Sequence, residues 1–147
     1  DHASQIRRST PADFSLYSGD DSLTLPLLSI GGSGVVSVAS HLAGDRLRRM
    51  VQAYEAGQPK LATEIHLELL PLFKALFLTA NPIPVKVALE LQGWQVGSVR
   101  SPLSPADESV KIAIQTVIQD LSHILSGSGQ PSPTGGSSAT AVATSNL

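Results

Sequence analysis

The sequence predicts an α/β fold, and three observations carry that prediction. Phe14–Tyr17 is an aromatic and aliphatic run suited to a pleated, buried surface. Gly34–Val38 is a β-branched run that reads as a second strand, buried on both faces. Between them Leu23–Ile30 reads as a short helix, and strand, crossover helix and strand together make a parallel βαβ unit. After Ser40 everything reads as helix or tail. The chain therefore reads as the end of an α/β architecture with helices packed around it.

Taken in order, Asp1–Arg8 has an acidic start and two basic residues, Arg7 and Arg8, at its end. That order suits a helix dipole, and Pro11 bars continuation, so the segment reads as the last turns of a helix. Ser18-Gly19-Asp20-Asp21 then supplies a sharp turn and a helix N-cap. Pro26 is tolerated only near the first turn of the helix that follows, and Gly31-Gly32 stops it. In Gly44–Ala56, Leu47, Met50, Val51 and Tyr54 recur at helical spacing, with Arg46, Arg48, Arg49 and Glu55 outside. Gly57 suits the residue just past a helix end, and Pro59 suits the first position of the next helix. That helix is expected to run to about Thr79. Leu61, Ile65, Leu69, Leu72, Phe73, Leu76 and Phe77 form its apolar face, and Pro71 bends it.

Asn81-Pro82-Ile83-Pro84 reads as a restart capped by Asn81, opening a very apolar helix that Gly93 ends. Trp94–Leu103 is a loop. Ser104-Pro105-Ala106-Asp107 approximates a capping box for a final helix over Pro105–Leu125, with Val110, Ile114, Val117, Leu121 and Leu125 on one stripe. The remainder is rich in Gly, Ser, Thr and Pro with almost nothing to bury, so residues 126–147 are expected to be disordered.

Composition excludes several classes. The 41% of apolar residues is enough for a real core in 147 residues. A net charge of −2 with scattered Lys and Arg leaves no footprint for nucleic acid. The chain has no cysteine, which removes disulfides, thiolate nucleophiles and Cys-based metal sites, and fits a reducing compartment. No apolar run reaches a membrane span, because Pro71, Lys74, Asn81 and Pro82 interrupt the most apolar region. No signal peptide precedes the first strand, and a start at Asp1 rather than Met reads as a fragment.

Gly31-Gly32-Ser33-Gly34 invites comparison with a phosphate cradle, but such loops follow a strand and open a helix, and here the order is reversed. It also fails as a nucleophile elbow, since Val35 stands where the last glycine is needed. Asp20 and Asp21, adjacent on a turn, point apart, and are expected to be an N-cap and a solvated charge. A pocket role stays open for them because they sit at the C-terminal end of a parallel strand, where barrel enzymes assemble their sites. His2, His41, His66 and His123 match no metal spacing and read as surface or cap residues. Lys60, Lys74, Lys86 and Lys111 all fall on helices rather than on a strand, where a buried lysine would serve as an amine nucleophile. Lys86, on the most apolar helix, reads as a snorkelling structural lysine.

Three stretches carry a resemblance: SGDDSLTLPLLSIGGSGVVSVAS, LLPLFKALFLTANPIPVKVALELQG and VRSPLSP. Together they resemble the C-terminal half of the 4-hydroxy-tetrahydrodipicolinate synthase (dihydrodipicolinate synthase) family over about Asp1 to Leu125, with Asn81–Lys86 the most specific piece. The resemblance implies the C-terminal portion of a (β/α)8 TIM barrel, its last two strands, plus a helical appendage. Residues 1–57 would end the barrel, 58–125 form the appendage and 126–147 the tail. It implies a lyase that condenses pyruvate with aspartate semialdehyde in lysine biosynthesis through a Schiff-base lysine, with no cofactor or metal. Further implications are a cytoplasmic setting and a homo-oligomer, a tetramer when full length, with neither nucleic acid nor membrane as partner. The Schiff-base lysine, the tyrosine proton relay and the threonine pair would lie before Asp1, leaving no catalytic residue here. Val36 matches the family's aliphatic residue, usually isoleucine, whose main chain contacts pyruvate. Gly19 matches a pocket-lining glycine with Asp20 beside it. A sibling pyruvate aldolase of the N-acetylneuraminate lyase kind, or a non-catalytic helical fragment, are the alternatives.

Overall fold

The computed structural model describes residues 1–125; the expected disorder of 126–147 lies outside the described residues. Helix α1 (His2–Ser9) is followed by strand β1 (Tyr17–Ser18), a 3-10 turn at Asp21–Leu23, helix α2 (Thr24–Leu28) and strand β2 (Gly34–Val35). Five helices complete the order: α3 (Ser40–Glu55), α4 (Pro59–Ala75), α5 (Ile83–Leu91), α6 (Glu108–Asp120) and α7 (Ser122–Leu125).

The parallel βαβ unit is present. β1 and β2 pair in parallel with Tyr17 opposite Gly34 and Ser18 opposite Val35. The pairing extends past the strands, since Ser33 N–H donates to Leu16 O at 2.7 Å and Val36 N–H to Ser18 O at 2.8 Å. Helix α2 packs on the pair. It ends as expected: Gly31 has φ +86, Gly31 N–H reaches Leu28 O at 3.1 Å and Gly32 N–H reaches Leu27 O at 2.9 Å. A left-handed residue at this place turns the chain while satisfying the last carbonyls, and glycine takes it without steric cost.

Both strands are shorter than the expected Phe14–Tyr17 and Gly34–Val38, and they are not buried on both faces. Phe14 is 49% exposed, Tyr17 45% and Val36 73%. The reason is partnership: the described residues form a sheet of only two strands, so nothing among them covers its remaining surface.

The core lies among the helices. Leu42, Met50, Ile65, Leu69, Leu72, Phe73, Leu76 and Ile114 are fully buried in one cluster that α5 and α7 join through Val85, Ala88 and Leu125. α3 opens with a short turn from Ser40, and non-helical backbone at Ala43 kinks it, so that the regular helix runs from Gly44, where it was expected. Arg46, expected outside, is half-buried instead: its Nε donates to Glu68 of α4 at 3.0 Å, and its Nη2 pairs with the same carboxylate. α4 continues through Pro71, which is exposed, and ends at Ala75 rather than Thr79. Phe77 therefore leaves the apolar face and is 47% exposed.

Two expected caps differ. Asn81 makes no capping bond, and α5 begins after Pro82 without a side-chain cap. The final helix starts at Glu108, not Pro105, because Asp107 rather than Ser104 is its cap: Asp107 Oδ1 accepts from Val110 N–H at 2.9 Å. That bond, then the Ser109 hydroxyl, holds the Asp107 carboxyl below the ordinary carboxylate range.

Candidate functional site

Because the strands run parallel, the residues after the last paired couple, Gly19 after Ser18 and Val36 after Val35, leave the sheet at the same end. This is the C-terminal end, where parallel strands release their connecting loops. Gly19 is exposed, and a Cβ added there would meet nothing within 4 Å. The Ser18 hydroxyl donates to Asp20 O at 2.6 Å and accepts from Asp20 N–H at 3.1 Å, which fixes the turn. Asp20 is the expected N-cap, its Oδ1 accepting from Ser22 N–H at 2.8 Å and from the Ser22 hydroxyl at 2.7 Å. The Val36 N–H is spent on Ser18, while its carbonyl accepts no hydrogen bond from the described residues. The three residues expected at a site, Gly19, Asp20 and Val36, thus stand together at one end of the strand pair.

Asp21 overturns the expectation of a solvated charge. It is 1% exposed, and its carboxylate crosses to the segment after β2. Oδ1 accepts from the Ser37 hydroxyl, and Oδ2 accepts from Val38 N–H at 3.1 Å and Ala39 N–H at 3.0 Å. Ser37 Oγ in turn accepts from Ser40 N–H at 2.8 Å, so one hydroxyl links the Asp21 carboxylate to the first turn of α3. A buried carboxylate is tolerable only when its lone pairs are taken up in this way, and the positive end of a helix favours it further. Sequence reasoning left a pocket role open for Asp21 but missed its burial and its partner Ser37. The available signal was Ser37-Val-Ala-Ser40, a hydroxyl three residues ahead of the N–H that opens the turn before the kink in α3.

None of the four lysines stands at this end. Lys60 and Lys74 lie exposed on α4 and Lys111 exposed on α6. Lys86, half-buried on α5, donates to the carbonyls of Val96 at 2.9 Å, Gly97 at 3.3 Å and Ser98 at 2.9 Å. It is structural, as expected, but by clamping a loop rather than by reaching for solvent. Among the described residues no three His, Cys, Asp or Glu gather as a metal site.

His66 departs from its expected place on the surface. It is half-buried on α4 with its ring 6.0 Å from that of Phe73, and its Nδ1 is buried without a partner. Burial lowers its pKa from the ordinary 6.5. The unfolded chain therefore takes up this proton first, so the stability tied to neutral His66 is complete above about pH 6.5 and declines as pH falls towards the folded-state value. The expected result is a urea midpoint that drops on acidification through that window, with a shallower drop in His66→Leu.

Comparison with known proteins decides the family. The model of the dihydrodipicolinate synthetase family matches residues 1–121. The chain belongs to the dihydrodipicolinate synthetase family. The 4-hydroxy-tetrahydrodipicolinate synthase of Acaryochloris marina is 63% identical over 121 residues, 82% of this chain and 41% of that protein. The corresponding enzyme of Nostoc punctiforme is 61% identical over 124 residues, 84% of this chain and 42% of that one. Among solved members of the dihydrodipicolinate synthetase family, the Cyanidioschyzon merolae enzyme with lysine bound superposes at a TM-score of 0.77. It shares 50% identity over 80% of this chain and 40% of its own. The synthase from Methylacidiphilum fumariolicum SolV superposes at 0.82 with 39% identity over 86% of this chain and 42% of its own. The chain thus spans about two-fifths of the length of these relatives. An α/β fold is common to them. No helix of the described residues is long and apolar enough to cross a membrane.

Proposed function

We propose that this chain supplies the pyruvate-facing ends of two strands to a 4-hydroxy-tetrahydrodipicolinate synthase, a lyase condensing pyruvate with aspartate semialdehyde. The observation that carries the proposal is the parallel register that delivers Gly19, Asp20 and the Val36 main chain to one end of the pair. In this reading the Val36 main chain contacts pyruvate, Gly19 lines the pocket where a side chain would intrude, and Asp20 holds the turn between them. The relatives of 61–63% identity carry the synthase name, which favours it over a sibling pyruvate aldolase.

The Schiff-base lysine of this reading lies outside the sequence. An amine must be unprotonated to attack a ketone, and an ordinary lysine, with pKa about 10.4, is not so near neutrality unless a closed pocket lowers that value. Three of the four lysines here are exposed, and the fourth is occupied by three carbonyls. Borohydride reduction with pyruvate followed by mass spectrometry tests the reading. The expected result is no adduct on this chain alone and one adduct, at a lysine outside residues 1–147, on the full-length protein. An adduct on Lys60, Lys74, Lys86 or Lys111 would overturn it. No adduct on either protein would leave the non-catalytic reading.

The same proposal assigns residues 1–57 to the last two strand–helix units of a (β/α)8 barrel and 58–125 to a helical appendage. Its support is the order of elements, two parallel strands joined by a helix and then helices alone to residue 125. The reading frame around the chain decides it. Six further strand–helix units before Asp1 are expected, whereas such units after Leu147 would assign the chain to the opposite, N-terminal end. A cytoplasmic setting and self-association belong to the same proposal. One relative is described as the first monomeric dihydrodipicolinate synthase variant, a description that supports self-association in this reading.

A further inference from the structure

We propose that Asp21 is a positioning residue for the pyruvate contact, acting through Ser37 on the Val36 main chain; this rests on the functional reading above. The Val36–Ser37 peptide is held from two sides. Upstream, Val36 N–H is pinned to Ser18 O at 2.8 Å. Downstream, the Ser37 hydroxyl is pinned to Asp21, whose second oxygen takes Val38 N–H at 3.1 Å and Ala39 N–H at 3.0 Å. Both tethers originate in the same five-residue stretch, Ser18 to Ser22, which also carries Gly19 and Asp20.

The Ser37 hydroxyl has little freedom in this arrangement. Its proton goes to Asp21, and its oxygen already accepts from Ser40 N–H at 2.8 Å. The carboxylate is 1% exposed, so water does not compete for these bonds. Val36, by contrast, is 73% exposed, and its carbonyl accepts nothing from the described residues. A main-chain group that meets a small ligand is thus placed by a buried side chain that does not itself reach the open end of the strands. The ends of the two strands are registered against each other by one carboxylate. Loss of that registration displaces the pyruvate contact rather than the lysine chemistry, and small displacements of a binding group carry large kinetic penalties.

The test is steady-state kinetics of the full-length protein with pyruvate and aspartate semialdehyde varied separately. Asp21→Ala is expected to raise the KM for pyruvate about tenfold while the KM for aspartate semialdehyde stays within about twofold. Ser37→Ala, which leaves the Val38 and Ala39 bonds in place, is expected to raise it about threefold. Asp21→Asn, which keeps one oxygen acceptor, falls between wild type and Asp21→Ala. Leu69→Ala, a core truncation on α4, serves as a destabilised control and leaves both KM values within about twofold. Should Asp21→Ala fail to fold, Asp21→Asn and Ser37→Ala carry the same measurement. An unchanged pyruvate KM in those two variants, or an equal rise in both KM values, overturns the inference. A wild-type protein that turns over no pyruvate at all sinks the functional reading and the inference with it, an outcome distinct from variants that match an active wild type.

Discussion

Phe73→Ala lowers stability by about 3–5 kcal/mol, measured as a fall in the urea midpoint at unchanged slope by far-ultraviolet circular dichroism. Phe73 is 2% exposed and stands in the cluster shared by α3, α4, α5 and α6. Truncation removes the transfer energy of the ring and leaves a cavity that helices pinned by Leu69, Leu72 and Leu76 cannot close. It also strips His66 of its ring neighbour, so the acid sensitivity described above weakens in the same variant. Against a typical domain stability of about 5–15 kcal/mol the loss is a large fraction. Phe77→Ala, four residues on and 47% exposed, is expected to cost only about 0.5 kcal/mol. Equal losses for the two would mean that Phe77 is buried and that α4 does not end at Ala75.

Lys86→Met opens the loop that follows α5. The ammonium donates to the carbonyls of Val96, Gly97 and Ser98, and hydrogen bonds to a charged group contribute about 1.5–3 kcal/mol each when sheltered from water. Rehydration of the freed carbonyls offsets part of this, so the expected loss of stability is about 2 kcal/mol, with the local effect larger. The chain's single tryptophan, Trp94, opens this loop and is 41% exposed, so its emission reports the change directly. The expected result is red-shifted emission and faster amide exchange over 94–103, with the core of α4 unaffected. Lys86→Arg restores little, because a planar guanidinium cannot converge on three carbonyls as a tetrahedral ammonium does. Emission identical to wild type in Lys86→Met would show that the loop is held by other contacts.

The α/β class, the parallel strand pair, the stop at Gly31-Gly32 and the run of helices after Ser40 were legible in the residues, because each depends on local rules. Periodicity placed Leu47, Met50, Ile65, Leu69, Leu72 and Ile114 inside, and they are. The glycine at Gly57 and the proline at Pro59 bounded their helices for reasons of backbone geometry alone. Gly19 and Val36 were singled out by the family resemblance rather than by local rules, and parallel pairing, which fixes which strand ends coincide, puts them with Asp20 at one end of the sheet.

Tertiary structure decided the rest. Nothing local distinguishes Asp20 from Asp21, yet one caps a turn at the surface and the other is buried, bonded to residues 16 to 18 places away. Arg46 likewise occupies a half-buried place that depends on Glu68 arriving from the neighbouring helix α4. Lys86 was legible as structural, but the three carbonyls it clamps belong to a loop without periodicity. Sequence by itself determined which segments are helix, strand or turn, and the apolar stripes of the long helices, because those follow from bonds and contacts within a few residues. Only the fold decided which polar side chains find distant partners, because a buried charge is stable only where separate segments converge to satisfy it.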